Sequence, residues 1–248
     1  MKSPSLLNTI DFLTDKLDLY NFRVRLASLI LAKKTRKCKT PKEYINLSSN
    51  IFRHIPLKYI GWPISPIQIE SELQILLNTL QKRNIHRMLE IGTAQGGTLF
   101  LFSQALSPDA TIISLDLPQG MFGGGYESFK IPFYMNFAEK NQHMHLLRDD
   151  SHSPLSLSKV KSILRGQKLD FLFIDGDHTY DGVKRDYRIY APLVCKGGLI
   201  AFHDICKHPP SLGCEVDKFW NEIKTAHSYQ EIIDSPHQNW AGIGVLYN

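Results

Sequence analysis

The stretch HRMLEIGTAQGGTLFLFSQAL, residues 86–106, changes character at its midpoint. An apolar run interrupted by Glu90 leads into a turn holding Gly92, Gly96 and Gly97, and a helical stretch follows. Glycines at a strand-to-helix turn let the backbone approach a ligand closely, and the next helix offers unpaired N–H groups at its start. Asp116 ends the next apolar run, 24 residues beyond Gly92, where a carboxylate can accept both hydroxyls of a ribose. The stretch therefore predicts a strand, a tight turn and a helix arranged around a nucleotide-like ligand.

Working outward, the same alternation recurs. HRMLEIG (86–92), TIISLDL (111–117), MHLLRD (144–149), LDFLFID (169–175) and GLIAFHD (198–204) read as strands separated by helical stretches. Most lack the in/out alternation of a half-exposed sheet, which predicts parallel strands buried on both faces. YQEIID (229–234) and IGVLYN (243–248) are separated by SPHQNWAG alone, too short for a crossover helix, so they are expected to pair as an antiparallel hairpin. The expected fold is a Rossmann-like, doubly wound, mostly parallel seven-stranded α/β sheet with a C-terminal antiparallel hairpin.

Upstream of this domain the pattern differs. Leu6, Ile10, Leu13, Leu17, Tyr20, Val24, Ala27 and Leu31 line one face of a helix over about residues 4–35. Residues 55–66, with three prolines and Gly61, read as a linker, and a further helix is expected over 67–80. A basic, helical extension (1–60) and a main domain (61–248) follow from this. The first 60 residues hold twelve Lys/Arg against four Asp/Glu, so the net charge of +5 belongs to the extension. The run KKTRKCK (33–39) suits an anionic membrane surface, a phosphorylated substrate or simple solvation; no nucleic-acid module accompanies it.

Asp11, Asp15 and Asp18 interrupt every apolar run where a signal peptide needs its hydrophobic stretch, and no run approaches the roughly 20 residues of a membrane span. Cys38, Cys195, Cys206 and Cys214 show no CxxC spacing. A soluble cytoplasmic protein with reduced thiols is expected, its helical stripe packed on the main domain or on a second copy in a homo-oligomer.

Two cofactors compete for the glycine turn. GTAQGG meets the dinucleotide pattern GxGxxG only with Ala94 in the middle position, whereas acid-x-Gly-x-x-x-Gly is met in full by Glu90, Gly92 and Gly96. That second pattern resembles motif I of the class I S-adenosylmethionine-dependent methyltransferases, which also end their sheet with an antiparallel strand. LEIGTAQGG, SLDLP, LLRDDSHSP, DFLFIDGDHTYDGVKRDY and KGGLIAFHDI resemble, in order, the branch that includes enzymes methylating sugar hydroxyls. The resemblance implies that Gly92 and Gly96 border the methionine part of S-adenosylmethionine, that Asp116 holds its ribose, that Asp150 and Ser151 sit beside its adenine, and that Glu90 belongs to the cofactor-binding residues. Asp175 joins this cofactor-binding set.

In an open parallel sheet, ligands lie beyond the carboxyl ends of the strands, and the tips of neighbouring strands are about 4.8 Å apart. If 169–175 and 198–204 are neighbours, Asp175, Asp177, His203 and Asp204 converge on one pocket. An aliphatic hydroxyl holds its proton tightly, so its methylation needs a general base or a metal ion. Asp177, His178 and His203 are the candidate bases. The resemblance implies a divalent-metal site at Asp175, His203 and Asp204, but relatives carry an acid where His203 stands, which puts magnesium in question. Structural roles compete: Asp177, Thr179 and Asp181 suit a helix cap near Tyr180, and MFGGGYESF (121–129) suits a lid or a wide turn. The expected activity is S-adenosylmethionine-dependent O-methylation of a small-molecule or glycan hydroxyl. A nicotinamide-dependent oxidoreductase and a non-catalytic binding module on the same fold are the alternatives.

Overall fold

The computed structural model describes residues 6–52, 63–122, 124–139 and 141–248, with side chains from residue 19 onward. Seven strands form one sheet: β1 (Arg87–Ile91), β2 (Thr111–Leu115), β3 (His143–Leu147), β4 (Leu169–Ile174), β5 (Val194–His203), β6 (Ser228–Ile232) and β7 (Ile243–Tyr247). Their order is β3-β2-β1-β4-β5-β7-β6; the first five are parallel, while β7 pairs antiparallel with both β5 and β6. The expected doubly wound sheet and terminal antiparallel pair are both present.

Alternate residues of each strand feed two apolar layers. Met88, Ile112, Phe171 and Leu199 join the layer beneath α3 (Glu70–Gln81) and α4 (Gly97–Ala105). Leu89, Ile113, Leu172 and Ile200 join the layer beneath α6 (Pro154–Leu164), α7 (Tyr180–Tyr190) and α8 (Val216–Ile223). Burial on both faces explains why these strands are apolar throughout. β5 starts at Val194, four residues ahead of the expected 198: Val194 pairs with Leu169 and Leu199 with Phe171, so residues 195–198 form an irregularity opposite Asp170.

The N-terminal helices are α1 (Leu6–Thr35) and α2 (Pro41–Asn50), with the short α5 (Ile131–Tyr134) nearby. Thr40 and Glu43 form a capping box at the start of α2. Val24, Ala27 and Leu31, three residues of the expected stripe, are buried in the same apolar layer as Leu99 and Phe100. The extension thus shares a core with the sheet. The linker expected at 55–66 and the boundary expected at 60/61 fall mostly outside the described residues. No helix among the described residues is long and apolar enough to cross a membrane.

Strand order reverses between β1 and β4, whose outward connections run to β2 and β5, respectively. The loops at residues 92–96 and 175–179 therefore diverge and leave a crevice at this switch point.

Candidate active site

Gly92 makes that crevice possible. Its φ is +89°, and a Cβ there would lie 1.9 Å from the carbonyl oxygen of Asp175. Ala94, in the middle position of the glycine pattern, also takes a left-handed backbone (φ 45°), and Gly96 (φ 78°) caps α4. The β1 loop is wound tightly enough for its backbone to line a ligand site.

Two pockets open on either side of it. One, of about 190 Å³, is lined by Gly92, Asp116, Asp150, Ser151, Asp175 and Asp177 among others. The other, of about 450 Å³, is lined by Gly92, Thr93, Gln95, Asp175, His178, His203 and Asp204, with Phe122, Leu212 and Trp240 toward its rim. Gly92, Ala94, Phe122 and Asp175 border both.

The expected cofactor residues divide. Gly92, Asp116, Asp150, Ser151 and Asp175 line pockets, whereas Glu90 and Gly96 stand behind the pocket walls. Glu90 is fully buried, and the hydroxyl of Thr93 donates to its Oε2 at 2.8 Å. Burial pushes its pKa from 4.5 up to about 8, with hydrogen bonds from Thr98 and Thr93 offsetting only part of the effect. Asp116 Oδ2 accepts from the backbone N–H of Ala94 (3.0 Å) and Tyr126 (3.2 Å), which ties the β1 and β2 loops together.

The second pocket gathers the titratable groups. His203 Nδ1 lies 3.2 Å from Asp175 Oδ1 and 3.2 Å from Asp204 Oδ1. His178 spans the same acids, with Nε2 3.3 Å from Asp175 Oδ1 and Nδ1 3.2 Å from Asp204 Oδ2. Burial disfavours charge on both imidazoles. The charge of Asp175 and hydrogen bonds to both acids outweigh burial at His203, pushing its pKa up to about 10. Hydrogen bonds to Asp175 and Cys214 do the same at His178, to about 11. Asp204 is held far below the usual carboxylate range: burial works against this, but His203 and His208 prevail. Asp204 also has φ 62°, a strained conformation of the kind found at functional sites.

Asp177 is not brought into this cluster. Its Oδ1 accepts from Thr179 N (2.9 Å) and Thr179 Oγ1 (2.8 Å), and Thr179 in turn caps α7. Thr179 thus performs the capping expected of this segment, with Asp177 bracing it.

Several site residues escaped the sequence reading. Gln68 Nε2 donates to Asp175 Oδ2 at 2.6 Å, and His208 Nε2 lies 3.1 Å from Asp204 Oδ1. Phe122 stacks on His178 with ring centroids 4.8 Å apart. His208 and Cys214 lie beyond the FHD motif in a segment without periodicity; the i,i+4 spacing of Asp204 and His208 was the available signal.

The triad of Asp175, His203 and Asp204 presents ligand atoms within 4.8 Å of one another, and the buried Nε2 of His203 has no hydrogen-bond partner. Two carboxylates and an imidazole fit a divalent cation that accepts nitrogen.

Comparison with known proteins agrees with this layout. Residues 89–205 match a family model described as a methyltransferase domain, Methyltransf_24. The mimivirus protein R132, from Acanthamoeba polyphaga mimivirus, is 33% identical over 133 residues, 53% of this chain and 57% of that protein. The chain thus spans little more than half the length of that relative. An O-methyltransferase from Bacillus cereus, in complex with S-adenosylhomocysteine, covers 84% of this chain and 90% of its own at 16% identity, with a TM-score of 0.53. TomG, an O-methyltransferase of Streptomyces achromogenes involved in tomaymycin synthesis and bound to S-adenosylmethionine, covers 91% and 98% at 17% identity, with a TM-score of 0.54. At such identities the solved structures establish a Rossmann-like fold of the kind these O-methyltransferases adopt, and the match to the methyltransferase-domain model, over residues 89–205, falls on the segment that carries both glycine turn and acid cluster.

Proposed function

We propose that the protein is an S-adenosylmethionine-dependent O-methyltransferase acting on a hydroxyl of a sugar or glycoconjugate. One observation carries this reading: the glycine-turn pocket and the acid–imidazole pocket meet at a shared wall formed by Gly92 and Asp175. Methyl transfer requires the donor and the acceptor oxygen in line, and such alignment supplies a large part of the rate.

S-adenosylmethionine would supply a sulfonium methyl whose departing sulfur leaves neutral and needs no acid. Asp116, Asp150 and Ser151 would hold its adenosine half, with the Gly92–Gly97 turn against its methionine half. Glu90 acts from behind, by fixing Thr93.

The acceptor's proton is the harder problem. His178 and His203 each lie between Asp175 and Asp204, so the four groups hold their protons in common. Both imidazoles rest as cations at neutral pH, so one must first give its proton to solvent; the neutral ring then accepts the hydroxyl's proton as the carbon–oxygen bond forms, and Asp175 and Asp204 stabilise the imidazolium. A divalent metal held by Asp175, His203 and Asp204 would lower the hydroxyl's pKa. Asp177, committed to Thr179, takes no direct part.

Trp240, Leu212 and Phe122 give the larger pocket an apolar wall suited to the C–H face of a sugar ring. Among the described residues neither pocket is lined by Lys or Arg, which favours an uncharged acceptor. The reading is tested by calorimetry with S-adenosylhomocysteine and NAD, then by methylation assays on neutral glycans with wild type, Asp175→Ala and Asp204→Ala. Binding of S-adenosylhomocysteine and methylation that both variants lose is expected. Binding of NAD instead would reassign the fold to redox chemistry.

A further inference from the structure

The carboxyl edge of the sheet carries a second group of ligand atoms on the far oxygen of Asp204. His178, Asp204 and Cys214 place one nitrogen, one oxygen and one sulfur within 4.8 Å of one another. We propose that these three residues form a binding site for zinc or another thiophilic divalent cation, separate from the Asp175–His203–Asp204 triad and sharing only Asp204 with it.

The spacing leaves room for an ion. Charge-assisted N–H···O contacts are usually about 2.7–2.9 Å. The imidazole–carboxylate contacts here are uniformly longer: His178 Nδ1 to Asp204 Oδ2 is 3.2 Å, and His178 Nε2 to Asp175 Oδ1 is 3.3 Å. For zinc bonds of about 2.0–2.3 Å, neighbouring ligand atoms of a tetrahedral site lie about 3.3–3.7 Å apart. Closing the triad onto that edge requires at most about 1 Å of movement. Asp175 adds an independent observation. Metal-bound histidines commonly direct the opposite ring nitrogen to a carboxylate, and His178 has Asp175 in that position.

The donor set decides the metal. Magnesium takes oxygen ligands in a near-ideal octahedron, whereas a thiolate with an imidazole selects zinc and its neighbours. Cys214 is a free, half-buried thiol beside Gly213, in the segment between β5 and α8. That segment is already fastened to the β4 loop, since Glu215 N donates to the carbonyl of His178 at 2.8 Å. An ion on Cys214 and His178 would join the two loops again at the mouth of the larger pocket, fixing Leu212 and the acceptor's entry.

The inference stands on donor atoms and is independent of the methyl-transfer reading, so its test uses metals alone, with the full-length chain stripped by chelator. Titration with Co(II) is expected to give thiolate-to-cobalt charge-transfer absorption that Zn(II) abolishes and Mg(II) leaves untouched. Cys214→Ser removes the band and weakens zinc binding at least about tenfold, whereas Cys38→Ser, in the connection between α1 and α2, changes neither. X-ray absorption on zinc-loaded wild type, expected to show one sulfur ligand, covers the case in which the serine variant misfolds. Absence of the band in wild type, unchanged zinc affinity in Cys214→Ser, or a zinc shell of nitrogen and oxygen alone would each overturn the proposal, the last by assigning the ion to Asp175, His203 and Asp204.

Discussion

Gly92 and Glu90 show how much a single position contributes. At Gly92 two costs combine, a left-handed backbone and a Cβ that would overlap the Asp175 carbonyl. Gly166, just past α6, shares the left-handed backbone (φ 81°) but has nothing within 4 Å of its would-be Cβ. Gly166→Ala should therefore cost about 1–2 kcal/mol, the conformational part alone, while Gly92→Ala should cost at least about 3 kcal/mol and abolish S-adenosylhomocysteine binding. Equal denaturant midpoints for the two variants would show that the close approach of β1 and β4 is not energetically significant. Glu90 makes a separate prediction. Because folding raises its pKa from 4.5 to about 8, the buried form is the protonated one, and the stability it contributes is whole below pH 4.5 and lost as pH rises through about 8. Relative to Glu90→Gln, wild-type stability should fall by about 1.4 kcal/mol per pH unit across that interval. A constant difference between the two chains over the same range would mean that Glu90 folds ionised.

At the scale of elements, what was legible in the sequence was whatever is local. Asp116, Asp175 and Asp204 end apolar runs, and an apolar run that stops at a carboxylate marks a strand tip without reference to the rest of the chain. Gln68 and Cys214 belong to no such pattern; Gln68 meets Asp175 across 107 positions, a contact that only the assembled sheet creates. Glu72 in α3 is the clearest case of this kind. It is buried, and its carboxylate accepts from Asp234 N (3.2 Å), Gln238 Nε2 (2.8 Å) and Gly242 N (3.0 Å), which fastens the β6–β7 connection to α3. In sequence it reads as an ordinary charge in the first turn of a helix. Glu72→Ala would leave the buried N–H of Gly242 unpaired, at a cost of about 1–3 kcal/mol, and would loosen the loop that carries Trp240 to the pocket rim. Limited proteolysis should then cut first within residues 233–242; a variant as resistant there as wild type would show that the loop is held by other contacts.

Across the whole molecule, the order of strands converts these local tips into two adjoining compartments. Parallel strands deliver their carboxyl-end loops to one edge, and the reversal between β1 and β4 separates the loops of β2 and β3 from that of β5 and from the connection entering the antiparallel β7. Asp116 and Asp150 thereby reach one pocket, His203 and Trp240 the other, and Asp175, on the strand at the reversal, borders both. If the first pocket holds the donor's adenosine and the second the acceptor, substitutions should sort by strand and not by distance from the reacting atoms. Asp150→Ala, at an exposed position, should raise the dissociation constant for S-adenosylhomocysteine about tenfold, the loss of one or two hydrogen bonds to a charged group, and leave the KM of the acceptor unchanged. Trp240→Ala should do the reverse, raising that KM by a similar factor through lost apolar contact while cofactor affinity stays at the wild-type value. Asp175→Ala should impair both together with kcat, because one side chain serves both compartments. The decisive measurement is the pair of single substitutions: calorimetry showing that Trp240→Ala weakens cofactor binding as much as it raises KM would mean that the two cavities are one site, and that the strand reversal does not divide donor from acceptor.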